Sequence, residues 1–324
     1  MRVPPLLAAI FLVALLASSS WAAVTMAWTP VGNPGNACDP QSQGCFGSVS
    51  YEYRVGIYEV TNAQYAEFLN AKAATDPLGL YDTGMGDPQG YGGITRTGSS
   101  GTYSYSTVVG RENKPVGVSF YDALRFANWL NNGQGSADTE TGAYTLLGGT
   151  ATPSNGPTVT RNAGATIFLP SEDEWYKAAY AIPTGGYLAY PAYPNPMDPN
   201  EQTHCAAPTG TANRANCNFQ VGDLTDEGSY TGSASPYGTF DQGGNVTEWN
   251  EAIINVVNRG VRGGNFQDNP SFLAASTQGN TSPIYQNDAI GFRVASVPEP
   301  SGTLGLAASL VMLVGLTGWR RGRT

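Results

Sequence analysis

The stretch Phe240–Phe266 reads FDQGGNVTEWNEAIINVVNRGVRGGNF and holds the densest mixture of special residues in the chain. Asp241, Asn245 and Glu248 offer side-chain oxygens, and the pair Gly243–Gly244 allows a tight bend. Oxygen donors around such a bend suit a hard cation such as calcium. Their spacing is not that of an EF-hand loop. The alternative is that Glu248 pairs with an arginine while Asp241 caps a turn.

Several short sequence blocks follow one another along the chain. Their order is a more specific signal of a protein family than any single block is. The C-terminal blocks are GNVTEW at Gly244–Trp249, RGGNF at Arg262–Phe266 and GFRV at Gly291–Val294. The upstream blocks are Val55–Asn70, Pro115–Leu130 and Leu169–Tyr180. Together they resemble the formylglycine-generating, or sulfatase-modifying factor, family over about Tyr53–Ala295. The resemblance implies one α+β domain with the C-type lectin-like fold of that family, in which loops connect short helices and small antiparallel sheets.

Three helices are predicted, each beginning at a side chain that can cap its first turn. The capping pairs are Thr61 with Gln64, Ser119 with Asp122, and Ser171 with Glu174. Apolar residues at helical spacing follow each cap, which indicates that one face of each helix is buried. Alternating Tyr, Val and Ile predict a strand over Tyr51–Val60, and a short hairpin is expected within Gly101–Val109.

The family resemblance implies two calcium sites. The better-matched site uses side-chain oxygens and backbone carbonyls of Asp241, Gly244, Val246 and Glu248. The other uses Asn218 together with Glu227 or Asp226. With the family in view, calcium becomes the preferred interpretation, because a cation that organises carbonyl oxygens stabilises a loop-rich domain. We also expect Glu248, Trp249, Arg262 and Arg293 near the centre of the domain.

The catalytic residues of the family are missing from the chain. Family enzymes oxidise a substrate cysteine with oxygen and with copper held by two cysteines, which lie between the RGG and GFR blocks. Here that interval, Asn265–Ile290, contains no Cys, so the thiolates that bind Cu(I) are absent and copper is not expected. Related sulfoxide synthases hold iron with several histidines, whereas this chain has one, His204, expected in a surface loop.

Catalysis by carboxylic acids alone has one candidate pair of residues. Asp268 and Asp288 both lie in the interval that replaces the copper loop, and two carboxylates can run glycoside hydrolysis. The preferred interpretation is that both are solvated surface acids. No catalytic residue is therefore predicted.

The N-terminus has the features of a secretory signal. Arg2 supplies the positive charge, and Leu6–Ala17 forms the apolar core. Small residues at Ser20 and Ala22 predict cleavage before Ala23. We therefore expect residues 1–22 to be a signal peptide and residues 23–297 to form a single domain.

The C-terminus predicts a sorting signal over residues 298–324. Pro298-Glu299-Pro300 precedes the apolar run Ser301–Trp319, which is long enough to cross a bilayer and is followed by arginines. The combination resembles the PEP-CTERM signal of Gram-negative bacteria. It implies an exosortase-type sorting enzyme as partner and a transient membrane anchor through residues 301–319. A permanent single-span anchor is the alternative.

Composition and cysteine content narrow the class of protein further. The chain has 324 residues with 41 Gly, 22 Pro and a formal net charge of −9. The glycines and prolines indicate many loops, and the negative charge argues against a nucleic-acid partner, which needs a basic surface. Four cysteines in an exported protein should pair, and of three connectivities we prefer the local pairs Cys38–Cys45 and Cys205–Cys217.

The sequence thus favours an exported, surface-sorted and non-catalytic module with a binding or structural role, stabilised by calcium. We expect it in the periplasm, at the outer surface or in the extracellular matrix, with exopolysaccharide or an envelope protein as ligand. The alternative is an oxidoreductase of the formylglycine-generating or sulfoxide synthase family with an unrecognised active site. A third interpretation is a passive matrix component, which the high Gly, Tyr, Asn and Thr content allows.

Overall fold

The computed structural model of the chain describes residues 23–87, 90, 92–191 and 198–297. The predicted signal peptide, residues 1–22, and the predicted sorting segment, residues 298–324, lie outside these ranges and stay predictions. Within the described ranges, no helix combines the length and the apolar character that a membrane crossing requires.

The three predicted helices begin at the predicted caps. They are α1 Asn62–Lys72, α2 Phe120–Asn131 and α3 Glu172–Tyr180. The Thr61 hydroxyl accepts a hydrogen bond from the Gln64 backbone N–H at 3.3 Å, and the Gln64 side chain accepts from the Thr61 N–H at 3.0 Å. Ser171 and Glu174 form the same reciprocal pair in front of α3. These bonds satisfy donors that the first turn of a helix otherwise leaves unpaired.

Short strands make up the rest of the regular structure among the described residues. In chain order they are β1 Trp28–Val31, β2 Asp39–Gln41, β3 Gly44–Phe46, β4 Tyr53–Gly56, β5 Ile94–Thr97, β6 Ser104–Thr107, β7 Ile167–Phe168, β8 His204–Cys205, β9 Arg214–Ala215, β10 Thr247–Ile254, β11 Asn258–Arg262, β12 Gly279–Thr281, β13 Ile290–Gly291 and β14 Ala295–Ser296. The first of two four-stranded sheets is antiparallel and has the order β1-β4-β14-β7. The second has the order β12-β11-β10-β13, with β10 and β13 parallel. The remaining strands form the two-stranded sheets β2-β3, β5-β6 and β8-β9. The predicted loop-rich α+β fold is confirmed.

One predicted strand and one predicted hairpin differ in extent from the observed strands. The strand predicted over Tyr51–Val60 is β4 alone, because the chain bends after Gly56 and the Val60 N–H bonds to the Phe292 carbonyl at 2.9 Å. The hairpin predicted within Gly101–Val109 contributes only β6, which pairs with the earlier strand β5. The turn between these strands begins at Gly98, whose φ of +86° is open to glycine at little cost.

The GFR block is fixed to the helices by a series of aromatic contacts. The ring centroid of Phe292 lies 5.4 Å from that of Phe126 in α2, and Phe126 lies 5.5 Å from Phe68 in α1. Phe68 in turn lies 5.3 Å from Trp129. All four rings are buried, and each such contact contributes about 0.5–1.5 kcal/mol beyond area burial. Phe292 of the GFR block is therefore held by α2, which packs on α1.

Both predicted disulfides are present. Cys45 in β3 bonds to Cys38, and Cys205 in β8 bonds to Cys217. These two bonds use all four cysteines of the chain. Disulfides persist in oxidising compartments, so the pairing is consistent with the predicted export.

Candidate functional site

Glu248 lies in β10 at the centre of the domain, with its side chain fully buried. Its Oε1 accepts a hydrogen bond from Arg293 Nη2 at 2.7 Å. Its Oε2 accepts from Arg293 Nε at 2.7 Å and from Trp175 Nε1 at 2.8 Å. The arginine pairing considered from the sequence is therefore present, and it joins the GNVTEW and GFRV blocks to α3. Since a carboxylate accepts about four bonds, one acceptor direction remains on Oε1.

The other central residues are buried as expected. Trp249 is enclosed and donates from Nε1 to the Val118 carbonyl at 2.9 Å. Arg262 forms an ion pair with Glu172 at 2.8 Å and also donates to two backbone carbonyls. The ion pair of Arg262 with Glu172 connects β11 to the first turn of α3. Residues of several sequence blocks therefore pack together at the centre of the domain.

Three further carboxyl groups lie near the Glu248–Arg293 pair. Burial raises the pKa of Asp241 to about 6. Burial, and then repulsion from Asp241, raise the pKa of Glu227 to about 7. The same two causes raise the pKa of Glu59 well above its ordinary value. Carboxyls thus outnumber the guanidinium of Arg293 in this region, an imbalance that favours either bound protons or a bound cation.

Asp241 and Glu227 belong to different calcium sites in the family resemblance, and they are neighbours in the structure. Asp241 Oδ2 accepts a hydrogen bond from the Gly228 N–H at 2.7 Å, which places this carboxylate beside the loop of Glu227. Asn218 is exposed, and its N–H donates to the Asp268 carbonyl at 2.7 Å. The structure therefore brings Asp241 and Glu227, one residue from each predicted site, close together.

Gly244, which belongs to the better-matched of the two implied calcium sites, lies in a closely packed bend. Gly244 has a φ of +82°, and a Cβ on it would lie 2.2 Å from the Asn216 carbonyl, so glycine is required there. Among the described residues, no group of three or more His, Cys, Asp or Glu side chains is arranged to hold a metal ion. Two carboxylates with backbone carbonyls need no such group. The assignment of calcium to Asp241, Gly244, Val246 and Glu248 stays a prediction.

A cavity of about 240 Å³ opens between the segment after α1 and the segment before β13. Its polar lining consists of Asn62, Asp82, Asp87, Gln286, Asn287 and Asp288. The described lining contains three carboxylates and neither lysine nor arginine. The Nε2 atom of Gln286 is buried and has no hydrogen-bond partner. The arrangement can accept hydrogen bonds from hydroxyl groups or from a cationic group.

Glycines allow the cavity walls to approach closely. A Cβ on Gly117 would lie 2.2 Å from the Asn287 carbonyl, and a Cβ on Gly93 would lie 2.1 Å from Asn62 Nδ2. A Cβ on Gly90 would lie 3.4 Å from Asp87 Oδ2 and 3.6 Å from Asp288 Oδ2. The carboxylates from two distant segments therefore converge on one glycine.

The interval that would carry the copper cysteines forms a short turn and a strand. Its 3₁₀ turn, Pro270–Leu273, is capped by Asn269, and β12 follows. Leu273 packs in a buried cluster with Ala215 and Cys217. This loop is therefore held by apolar contact with the Cys205–Cys217 disulfide.

The remaining catalytic candidates do not meet in one place. Asp288 lines the cavity, whereas Asp268 Oδ2 accepts a hydrogen bond from the Asn265 N–H at 3.0 Å and is not among the lining residues. His204 is exposed, as expected, although it lies in β8 and not in a loop. Its Nε2 lies 3.5 Å from Glu201 Oε1.

The sequence did not predict Glu59, Asp82 and Gln286 as residues of a candidate site. Glu59 follows β4 between apolar neighbours, and an acid inside such a run is itself a signal of a buried carboxyl. Asp82 and Gln286 carry no local signal. They share a cavity only because the chain folds segments together that are about two hundred positions apart.

Comparisons with known proteins agree with this architecture. The family model described as "Sulfatase-modifying factor enzyme 1-like domain" matches residues 46–297. No curated protein matches the chain at a significant level.

Solved structures show the same fold. Treponema denticola variable protein 1 is similar with a TM-score of 0.56 and 18% identity, over 86% of this chain and 98% of that chain. CarF is similar with a TM-score of 0.53 and 19% identity, over 85% of this chain and 99% of that chain. At these identities the likeness extends to the fold alone.

Proposed function

The chain belongs to the family of sulfatase-modifying factor enzyme 1-like domains, and we propose that it is an exported binding module of that family, not an oxidase. The proposal rests on the cavity lined by Asp82, Asp87 and Asp288, which we call the acidic cavity. One of its walls, Gln286–Asp288, comes from the interval in which the copper cysteines of the family would lie, and this interval contains no Cys. The acidic cavity therefore borders the segment that carries the redox ligands in family enzymes.

The cavity lining favours a hydroxyl-rich ligand. Carboxylates of Asp82 and Asp288 can accept hydrogen bonds from sugar hydroxyls, and the unpartnered Nε2 of Gln286 can donate one. A volume of about 240 Å³ is smaller than the roughly 300–1,000 Å³ of sites that enclose a drug-sized ligand, so it suits one residue of a longer chain. We take exopolysaccharide as the ligand class.

Calcium and export form the other parts of the proposal. The excess of carboxyls around Arg293 supports a bound cation in this half of the domain. The two disulfides support an oxidising compartment. Export by the signal peptide and sorting by the C-terminal segment of residues 298–324 complete the proposed route to the cell surface.

Quantitative binding to a panel of neutral, acidic and amino-sugar glycans tests the proposal. The double substitution Asp82→Asn and Asp288→Asn should weaken binding about tenfold or more, because hydrogen bonds to charged acceptors are lost. Asp198→Asn removes an exposed acid outside the cavity and should leave binding unchanged. A panel without any bound glycan, or equal binding by all three proteins, would contradict the assignment. Oxygen consumption with a cysteine-containing peptide would establish the oxidoreductase alternative.

A further inference from the structure

The acidic cavity presents negative charge to any ligand that enters it. Its lining includes the carboxylates of Asp82, Asp87 and Asp288, and the described part of the lining contains neither lysine nor arginine. Oδ2 of Asp87 and Oδ2 of Asp288 both lie within 3.6 Å of the position that a Cβ of Gly90 would occupy. Two carboxylates from distant segments are therefore close to each other in the cavity wall, and both attract a positively charged group on a ligand.

The basic side chains on segments next to the lining pair with acids outside it. Arg111 Nη1 lies 2.9 Å from an oxygen of Asp223, and Lys114 Nζ lies 2.7 Å from the same oxygen. Arg96 Nη1 lies 3.7 Å from Asp76 Oδ2. These ion pairs hold the three positive charges at carboxylates that do not line the cavity.

The lining also offers a hydrogen-bond donor beside the carboxylates. Gln286 lines the cavity, and its Nε2 is buried without a hydrogen-bond partner. An amide N–H donates to a neutral oxygen such as a sugar hydroxyl, whereas an ammonium group has no acceptor to offer it. The lining therefore matches a ligand with a cation for the acids and a neutral oxygen for Gln286. A sugar in which an amine replaces one hydroxyl has both groups, whereas a lysine side chain has only the cation.

We propose that the acidic cavity selects an amino sugar whose amine is free and protonated. This inference rests on the glycan-binding function proposed above and names the class of sugar. The ammonium group donates to the carboxylates of Asp87 and Asp288, and charge-assisted bonds of this kind are about twice as strong as neutral ones. A hydroxyl or ring oxygen of the same sugar accepts from Gln286 Nε2. Acetylation of the amine removes the positive charge and with it the preference.

Three short β-1,4-linked oligosaccharides of equal length test the selection on the purified wild-type chain. They consist of glucosamine, N-acetylglucosamine and glucose, and they differ only in the group on C2. Calorimetric titration at about pH 6, where an amine of ordinary pKa is protonated, should give the glucosamine oligomer an affinity about tenfold or more above that of the others. The preference should shrink as salt is added, because salt screens the charges.

The outcomes separate this inference from the function on which it rests. Equal affinities for the glucosamine and glucose oligomers would overturn the selection of an amine and leave glycan binding intact. A glycan panel without any bound sugar would remove the proposed function itself. Since this comparison changes the ligand and not the protein, it does not depend on the folding of any variant.

Two charge-matched double variants assign the preference to the cavity. Asp87→Asn with Asp288→Asn should bring the glucosamine oligomer to the affinity of the glucose oligomer. Glu52→Gln with Asp198→Asn removes the same total charge at exposed positions outside the lining and should keep the preference. A preference that survives the cavity substitutions at full strength would overturn the inference.

A lysine pentapeptide controls for attraction by charge alone, since the chain has a formal net charge of −9. It carries several ammonium groups and no sugar oxygens, so at equal concentration it should leave the bound glucosamine oligomer in place. Displacement of the oligomer by the peptide would show that the chain recognises positive charge and not an amino sugar.

Discussion

Glu248 and Arg293 form a bidentate ion pair in which both side chains are fully excluded from solvent. The two residues lie 45 positions apart, and the pair ties β10 to the GFR block. A buried pair of this kind stabilises little relative to an apolar pair of the same volume. Removal of one partner is different, because it leaves the other charge buried and alone.

The substitution Glu248→Ala should therefore destabilise the domain by about 3–5 kcal/mol. The uncompensated Arg293 and the lost bond from Trp175 Nε1 are the causes. Urea unfolding monitored by tryptophan fluorescence measures the change. Glu52→Ala, at an exposed position, serves as the control and should remain within about 0.5 kcal/mol of the wild type. An unchanged free energy of unfolding for Glu248→Ala would show that the ion pair is not the central contact.

Local patterns in the sequence predict the caps but not the partner of Glu248. A cap joins residues three positions apart, so the spacing of Ser171 and Glu174 suffices to place it. Three arginines, in contrast, are available to Glu248 by sequence. Arg262 pairs with Glu172, Arg259 bonds to carbonyls of the Gly156–Val159 segment, and only Arg293 reaches Glu248. The packing of sheets and helices that are far apart in the sequence determines which arginine contacts Glu248.

The same limit applies to the backbone contacts of Asn218 and Glu227, which the family resemblance assigns to one calcium site. The Asn218 N–H bonds to the Asp268 carbonyl at 2.7 Å, whereas the Glu227 N–H bonds to the Asn113 carbonyl at 2.9 Å. Neither partner has a local signature in the sequence. The approach of Glu59 and Asn245, 186 positions apart, has no local signature at all.

Asp122 should give the stability of the domain a measurable dependence on pH. Burial raises its pKa from 3.8 to about 6, even though Ser119 and Arg125 hydrogen-bond to it. The folded state therefore binds the proton more tightly than the unfolded state. The stabilisation from this group is complete below about pH 4 and is lost as the pH rises through 6.

Comparison with Asp122→Asn isolates this contribution. The free energy of unfolding of the wild type, relative to that of the variant, should fall by about 2–3 kcal/mol between pH 4 and pH 7, because the pKa differs by about two units between the folded and unfolded states. Urea unfolding at four pH values measures the difference. A difference that is constant over this range would mean that Asp122 has an ordinary pKa in the folded state.

Gly117→Ala should damage the acidic cavity. The added Cβ would lie 2.2 Å from the backbone carbonyl of Asn287, so the wall Gln286–Asp288 has to move. We expect a loss of glycan binding and a destabilisation of about 1–3 kcal/mol, which is typical of overpacking. Gly32→Ala is the matched control, because a Cβ there meets nothing within 4 Å. Glycan binding that survives Gly117→Ala at full strength would place the ligand site elsewhere.

Metal content separates the binding module from the oxidase most directly. The chain purified from an oxidising compartment should contain calcium, and a calcium chelator should lower its melting temperature. The stabilisation follows RT ln(1 + [Ca²⁺]/Kd), about 2.7 kcal/mol when calcium is at one hundred times Kd. Calcium should restore the original melting temperature, whereas the same concentration of Mg²⁺ should restore less of it, because Mg²⁺ requires a smaller octahedral shell.

Copper or iron in stoichiometric amount would reverse this interpretation. All four cysteines are paired in disulfides, and the one histidine is exposed, so such a metal would need a site built from other ligands or from a reduced Cys205–Cys217 pair. Elemental analysis before and after mild reduction distinguishes these cases. Copper that binds only after reduction would assign the disulfide to redox chemistry, because Cu(I) prefers thiolate ligands. Calcium as the metal under both conditions would leave the disulfide a structural role beside Leu273.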